Sequence, residues 1–152
     1  MVRAFSAGGV VFRRLPTSIG TPSTLEVVLV GRSWERLWVL PKGTPRPGEA
    51  TPDVALREVA EESGITARIV TELGSIHYGF ARSGVRYNKE VLYYLMEATG
   101  GDVSLHDHEY DDSRWFPLSE ALRLLTHPNE AEILRLAVNK LAADASDTTT
   151  AR

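Results

Sequence analysis

The sequence predicts an α/β fold, a three-layer α/β/α sandwich around a central mixed β-sheet. Runs of β-branched and aromatic residues, which favour strands, lie on both sides of a segment with helical periodicity between Thr51 and Gly64. A second amphipathic segment begins at Asn129, near the C-terminus. Because each face of a sheet needs a cover, we expect a helix on either side. The order of the strands does not follow from this pattern.

The chain of 152 residues has the size of one domain. We place that domain at residues 1–142. Residues 143–152 are rich in Ala, Asp and Thr and have no periodicity, so they are predicted to form a disordered tail.

Three strands are predicted before the central helix. The first ends with the apolar residues 10–12, the second covers 25–30, and the third covers 37–40, where Pro41 ends it. Residues 13–24, rich in Pro, Thr, Ser and Gly, are predicted to form a long hairpin loop between the first two strands.

The central helix has recognisable ends. Thr51 is the expected N-cap, and Pro52 suits the first helical position, where a missing N–H removes no hydrogen bond. Gly64 suits the left-handed conformation that follows many helices.

A hairpin is predicted after the helix, with strands at 66–80 and 90–97 and a polar loop at 81–87. The remaining predicted elements are a strand at 114–117, a short helix capped by Ser119 and a final helix from Asn129.

Three glutamates share one face of the central helix. At about 100° per residue, Glu58, Glu61 and Glu62 fall within roughly a 100° arc. Like charges at these spacings repel, and the helix dipole disfavours negative charge in the last turn. A bound divalent cation would relieve both penalties.

Composition limits the classes of ligand and the kinds of metal site that the chain can have. A formal net charge of −3 and a pI near 5.8 disfavour a nucleic-acid polymer as the main ligand. Because the chain lacks cysteine, a metal must be held by oxygen ligands, which suits Mg²⁺ or Mn²⁺. No segment reaches the roughly 20 apolar residues of a membrane span. We therefore expect a cytoplasmic protein without a membrane partner.

The residues around the helix form an ordered motif. Gly43 is followed by Glu49, then by Arg57-Glu58-Val59, Glu61-Glu62 and Gly64-Ile65. Here the chain resembles the Nudix (MutT-like) hydrolases, whose signature it matches at all nine specified positions. The resemblance implies a Nudix-like α/β/α sandwich and a metal-dependent hydrolase of phosphoric anhydrides.

Carboxylates that position Mg²⁺ can neutralise a pyrophosphate and activate a water molecule. Glu58 and Glu62 are the expected direct ligands, and Glu61 is either a ligand or, through water, a base. By resemblance, the Gly43 carbonyl completes the metal ligands. We expect Arg57 to orient Glu61 by a charge-assisted hydrogen bond.

A further glutamate is expected from a distant loop. Nudix hydrolases often carry such a residue near the metals, and Glu109, just before the strand at 114–117, matches it. Glu109 would be a base or an extra ligand. The alternative is an ordinary solvated acidic loop.

Substrate-binding candidates lie beside the motif and in the predicted hairpin. Lys42 directly precedes Gly43 and suits an anionic substrate. Tyr78, Arg86 and Lys89 could hold phosphates and a purine. The alternative is ordinary strand pairing, in which aromatic and basic residues are also common.

Three functions remain open. Residues 38–43, 89–91 and 114–117 resemble the subgroup that acts on diadenosine polyphosphates, although Thr44 and Asn88 stand where that subgroup often has His. The first hypothesis is hydrolysis of a dinucleoside polyphosphate, such as diadenosine tetra- or hexaphosphate. The second is a MutT-type pyrophosphohydrolase of oxidised dNTPs, and the third is a catalytically inactive nucleotide- or metal-binding module. The expected partner is a small nucleotide, and a homodimer is one option for the assembly.

Overall fold

The structure is a computed structural model that describes residues 1–16 and 24–150, with side chains described as far as 144. The elements are β1 (Val2–Leu15), β2 (Thr24–Arg32), β3 (Leu37–Val39), β4 (Lys42–Gly43), α1 (Thr51–Ser63), β5 (Ile65–Arg82), β6 (Val85–Gly101), β7 (Asp112–Pro117), α2 (Leu118–Leu124) and α3 (Pro128–Thr150). Short 3₁₀ helices lie at Ser33–Glu35 and Val103–Leu105.

The seven described strands form one mixed sheet. Its order is β3-β2-β1-β6-β5, with β4 paired to β1 and β7 paired to β2. β1 and β6 are parallel, and the other pairings are antiparallel. The predicted mixed sheet is therefore confirmed. Its topology places β1 between β4, which carries the first glycine of the motif, and the long β5/β6 hairpin.

Helices cover both faces of the sheet. On the α1 face, α1 packs against a core that includes Ala7, Val11 and Met96. On the α3 face, α2 and α3 cover a core that includes Val10 and Tyr93. Because successive side chains of a strand point to opposite faces, each strand contributes to both cores. The predicted α/β/α sandwich is confirmed.

Both predicted hairpin loops are shorter in the structure. β1 continues to Leu15, which pairs with Thr24 of β2, and residues 17–23 of the predicted loop lie outside the described residues. The polar loop predicted at 81–87 is wrong, since β5 and β6 stay paired up to Arg82 and Val85. A two-residue turn with positive φ, Ser83-Gly84, reverses the chain. Polar residues here belong to exposed strands, because the tip of the hairpin extends beyond the helices.

Helix boundaries differ from the prediction at their N-termini. Ala50, not Thr51, is the N-cap of α1, because the Ala50 carbonyl accepts the Val54 N–H at 3.0 Å. Similarly, α2 begins at Leu118, after the cap residue Pro117, and Ser119 is already helical. The C-terminal prediction for α1 is confirmed, with Gly64 at φ 83°.

The last helix continues further than the sequence indicates. α3 runs from Pro128 to Thr150 and so includes most of residues 143–152, for which disorder is predicted. Within the described part of the chain, no helix is both long and apolar enough to cross a membrane.

Candidate active site

Gly43 of the motif and Glu58, the first glutamate of α1, are in direct contact. β4 pairs antiparallel with β1, with Gly43 opposite Ala7 and Lys42 opposite Gly8. A Cβ atom at Gly43 would overlap the carboxylate of Glu58. Glycine is thus needed here for close approach, and the Gly43 backbone and the Glu58 carboxylate face the same small volume.

Arg57 connects the loop before α1 to the acidic face of the helix. Its Nε and Nη2 donate to the two carboxylate oxygens of Glu49 at 2.7 and 2.8 Å, a bidentate pair. Its Nη1 donates to Glu58 at 2.6 Å and to Glu61 at 3.3 Å, and Nη2 also donates to the Thr44 carbonyl at 3.0 Å. Arg57 therefore holds Glu49 and Glu58 more closely than Glu61, the partner that the sequence predicts.

Arg57 and Glu49 form an ion pair. Hydrogen bonds from the Arg57 side chain and the Arg46 backbone lower the pKa of Glu49 to about 2. Glu49 thereby ties the loop to α1 as a fully ionised anchor.

Glu62 occupies a buried position. Its side chain is only 2% exposed, and Oε1 accepts the Lys42 backbone N–H at 3.0 Å. Burial, with a smaller contribution from nearby Glu109, raises the pKa of Glu62 to about 9. The sequence analysis places Glu62 on one helix face with Glu58 and Glu61 but does not predict its burial. Helical periodicity could not reveal that β4 packs over it.

The loop that carries Glu109 is fixed next to α1. The Asp107 N–H donates to the Glu61 carbonyl at 2.7 Å, and the Glu109 carbonyl accepts a hydrogen bond from Arg32 Nε at 3.3 Å. Burial raises the pKa of Glu58, and the negative charges of Glu61 and Glu109 add to this shift. The structure therefore brings Glu109 close enough for its charge to act on the motif carboxylates, and its role as a base or ligand stays a prediction.

The carboxylate cluster fits a divalent cation in donor type and in charge. Burial and mutual repulsion disfavour the ionised forms of Glu58 and Glu62, a combination that a bound cation reverses. Glu61 is 40% exposed at its side chain and pairs with Arg46 at 3.2 Å and with Arg57. Among the described residues, no three His, Asp or Glu side chains already converge as a metal site. Metal binding would therefore require rotation of carboxylates that now contact arginines.

Two lysines lie together on the α3 face. Burial lowers the pKa of Lys89, and the positive charge of Lys42 lowers it further. Lys89 pairs with Tyr78 across the hairpin.

Arg86 pairs with Ala81 in the same hairpin. Because Arg86 is three positions from Lys89 in a regular strand, its side chain belongs to the opposite face of the sheet. Arg86 is therefore on the other face of the sheet from Tyr78 and Lys89, and its role in substrate binding stays a prediction.

A cavity of about 660 Å³ adjoins Lys42 on the α3 face, near the N-terminus of α3. Its polar lining includes Arg32, Tyr110 and Glu130, which the sequence analysis did not single out. Glu130, in the first turn of a helix, has the sequence pattern of a solvent-exposed dipole partner. Only the packing of α3 against β5 and the hydrogen bond from the Leu40 N–H show that it is buried.

Comparisons with known proteins agree with this geometry. MutT4 of Mycobacterium tuberculosis is 37% identical over 150 residues, 94% of this chain and 59% of that protein. An 8-oxo-(d)GTP phosphatase of Mycolicibacterium smegmatis is 36% identical over 138 residues, 89% of this chain and 41% of that protein. The chain thus spans about half the length of these two relatives.

A solved structure extends the comparison to the fold. The crystal structure of a C. elegans Ap4A hydrolase binary complex superimposes with a TM-score of 0.67 and 25% identity, covering 92% of this chain and 98% of that chain. The NUDIX domain pattern matches residues 18–137, most of the sequence. With the signature side chains gathered at one site, the chain belongs to the NUDIX domain family.

Proposed function

We propose that the protein hydrolyses a pyrophosphate linkage in a nucleoside diphosphate compound, with Mg²⁺ or Mn²⁺ as cofactor. The observation that carries this proposal is the contact of Glu58 with the Gly43 backbone, beside the buried Glu62. We assign Glu58, Glu62 and the Gly43 carbonyl as metal ligands, and Glu61 as either a further ligand or, through water, a base. The bound metal would neutralise the pyrophosphate and lower the pKa of a water molecule.

The protein itself supplies position and charge. Arg57, anchored by Glu49, holds the helix against the loop and keeps Glu58 directed at Gly43. Glu61 is the most exposed of the three motif carboxylates and is therefore accessible to water. Glu61 or Glu109 would accept the proton from the attacking water, and Lys42 would bind the phosphate chain.

For the substrate we propose a dinucleoside polyphosphate. Lys42 and Lys89 form a cationic pair suited to a long phosphate chain. Beyond Lys89, toward the tip of the hairpin, the rings of Phe80 and Tyr87 stack at 5.0 Å on the same face as Tyr78. These rings could hold a second base. The structural similarity to a C. elegans Ap4A hydrolase supports the same substrate class.

A second candidate has equal support from sequence. The M. smegmatis relative is named an 8-oxo-(d)GTP phosphatase and is 36% identical. Hydrolysis of oxidised dNTPs would use the same metal ligands and only one base site. A binding module without turnover is a third candidate, which the intact signature makes the least favoured.

The identity of the products separates these candidates. The protein would be incubated with Mg²⁺ and diadenosine polyphosphates, dNTPs or 8-oxo-dGTP, and the products resolved by chromatography. Diadenosine tetraphosphate should yield ATP and AMP, whereas the sanitation activity would yield a monophosphate and pyrophosphate. Glu61→Gln should lower the rate about a hundredfold. The exposed Glu132→Gln is the matched control.

No turnover of any of these compounds, with Mg²⁺ binding intact, would instead favour the binding module.

We also propose a cytoplasmic location, which cell fractionation would test. A homodimer stays a prediction, which light scattering on the purified protein would test.

A further inference from the structure

The loop between the 3₁₀ helix at Val103–Leu105 and β7 brings Glu109 to the motif carboxylates. Glu109 is exposed, yet its carboxyl group interacts with that of the buried Glu62. Burial raises the pKa of Glu62 most, and the charge of Glu109 and a hydrogen bond with its side chain make smaller contributions. An exposed loop residue keeps such a position only when its backbone is held, because a free loop samples many conformations.

The end of β2 holds the segment that carries Glu109. The Asp111 N–H donates to the Gly31 carbonyl at 3.1 Å. The Arg32 side chain donates through Nε to the Glu109 carbonyl at 3.3 Å, and its guanidinium lies 4.8 Å from the ring centre of the buried Tyr110. Three consecutive loop residues, 109–111, are therefore each attached to β2.

The carboxylate of Asp111 extends this attachment beyond β2. Its Oδ1 accepts the Ser33 N–H at 3.0 Å, and its Oδ2 accepts the Ser33 hydroxyl at 2.8 Å. Ser33 begins the 3₁₀ helix that follows β2, where a backbone N–H has no partner within the helix. Hydrogen bonds from the Ser33 N–H and hydroxyl lower the pKa of Asp111, so both bonds go to a charged acceptor. The two residues are 78 positions apart, and this contact therefore joins two distant segments of the chain.

The same loop is attached to α1 on the other side of Glu109. The Asp107 N–H donates to the Glu61 carbonyl at 2.7 Å, and Asp107 Oδ1 accepts the Glu109 N–H at 3.1 Å. Glu109 thus lies midway between an attachment to α1 at Asp107 and an attachment to β2 at Asp111. Loss of either attachment would let the Glu109 backbone move away from α1.

We propose that Asp111 is a positioning residue that holds Glu109 at the metal-binding carboxylates through its hydrogen bonds to Ser33. Asp111 acts through Glu109 and itself binds neither the metal nor the substrate. The neighbouring Asp112 pairs instead with Arg114 at 2.8 Å. This inference rests on the proposed function, because it names the support of a residue that we assign to that reaction.

Metal binding without turnover provides the first test. The affinity for Mn²⁺ would be measured by calorimetry for the wild type, Glu109→Gln, Asp111→Ala and the double variant. The charge of Glu109 acts on Glu58 and Glu62, so Glu109→Gln should weaken Mn²⁺ binding about tenfold. Asp111→Ala should weaken it about fivefold. The double variant should bind Mn²⁺ as Glu109→Gln does, since Asp111 acts only through Glu109.

Steady-state kinetics provides a readout of the reaction. With Mg²⁺ and the compound that the wild type hydrolyses, Asp111→Ala should lower kcat about tenfold and change KM by less than about twofold. In a Glu109→Gln background, the same substitution should lower kcat no further. A merely structural defect would instead lower kcat by the same factor in both backgrounds.

Two further variants separate position from charge. Asp111→Asn loses the charge but keeps an oxygen for the Ser33 N–H, so it should retain most of the Mn²⁺ affinity and of kcat. Losses as large as those of Asp111→Ala would show that charge alone matters and would overturn the proposal. Ser33→Ala keeps the charge and removes one exposed hydroxyl, so it tests the proposal even if Asp111→Ala does not fold. It should lower kcat about threefold, and not in a Glu109→Gln background.

Asp102→Ala is the matched control. Asp102 is also exposed and accepts the N–H and the hydroxyl of Ser104 at 2.9 and 2.7 Å, but these bonds lie within one turn and do not reach β2. The variant should leave the Mn²⁺ affinity and kcat unchanged.

The outcomes distinguish this inference from the proposed function. Wild-type Mn²⁺ affinity and kcat in Asp111→Ala or in Glu109→Gln, or equal losses in both backgrounds, would overturn the inference and leave the hydrolase in place. In a protein that hydrolyses none of the compounds, a loss of Mn²⁺ affinity that depends on Glu109 supports the inference and contradicts the hydrolase. A wild type that binds no Mn²⁺ would overturn both.

Discussion

The loop before α1 and the side of α1 that faces β4 hold their carboxylates in opposite ways. On the loop side, Glu49 has a bidentate arginine partner, and its pKa falls to about 2. On the side of β4, Glu62 is buried with one backbone donor, and its pKa rises to about 9. Glu49 has an ion-pair partner in Arg57, whereas Glu62 forms no ion pair with any of the described residues. Within the motif, Glu49 thus stabilises the loop, whereas Glu62 is available to a cation.

The largest effect is expected when the uncompensated carboxylate is removed. Glu62→Gln should lower Mg²⁺-dependent activity by roughly a thousandfold, because a proposed metal ligand loses its charge. Steady-state kinetics across a Mg²⁺ titration would measure this loss. Glu132→Gln is the control, and near-normal activity of Glu62→Gln would contradict the assignment of Glu62 as a ligand.

The Glu62→Gln variant should also differ from the wild type in the pH dependence of its stability. The folded-state pKa of Glu62, about 9, exceeds its usual value of 4.5, so its contribution to stability is present below pH 4.5 and is lost as pH rises toward 9. With a chelator present, Glu62→Gln should therefore be more stable than the wild type at pH 8, by on the order of 3 kcal/mol. Urea unfolding at pH 5 and pH 8 would measure the difference, and equal stabilities at pH 8 would contradict it.

A smaller effect is expected from the contact partner of Glu58. Gly43→Ala places a methyl group where the Glu58 carboxylate lies, so that carboxylate must move. We expect kcat to fall about a hundredfold while the fold is kept. Gly79→Ala is a suitable control, because an added Cβ there meets its nearest atom at 3.6 Å. Wild-type kcat in Gly43→Ala would show that the contact has no role in turnover.

The smallest effect is expected on the loop side. Glu49→Gln should lower kcat about tenfold, since it loosens an arginine that positions Glu58 without touching the substrate. Because the pKa of Glu49 is lowered, its stabilising contribution is present above pH 4.5 and is lost as pH falls through about 2. Acid titration followed by circular dichroism should show a weaker pH dependence in the variant. A loss of activity as large as that of Glu62→Gln would remove the contrast between the two sides.

Much of the fold followed from local pattern. The spacing from Gly43 to Ile65 identified the central helix, and Gly64 ends it in the predicted conformation because only a left-handed residue fits there. The mixed sheet and its two covering layers also followed, since the runs of apolar residues leave few other arrangements. The loop predicted at 81–87 was wrong because polarity cannot distinguish an exposed strand from a loop.

The sequence by itself determined which side chains carry charge and which of them share the motif: Glu58, Glu61 and Glu62 on one helix, with Gly43 before it. Only the tertiary structure decided their electrostatic environments. β4, paired with β1, covers Glu62, and the packing of α3 against β5 buries Glu130. Helical and strand periodicity describe one element at a time, whereas burial and pKa depend on which elements come to lie against each other.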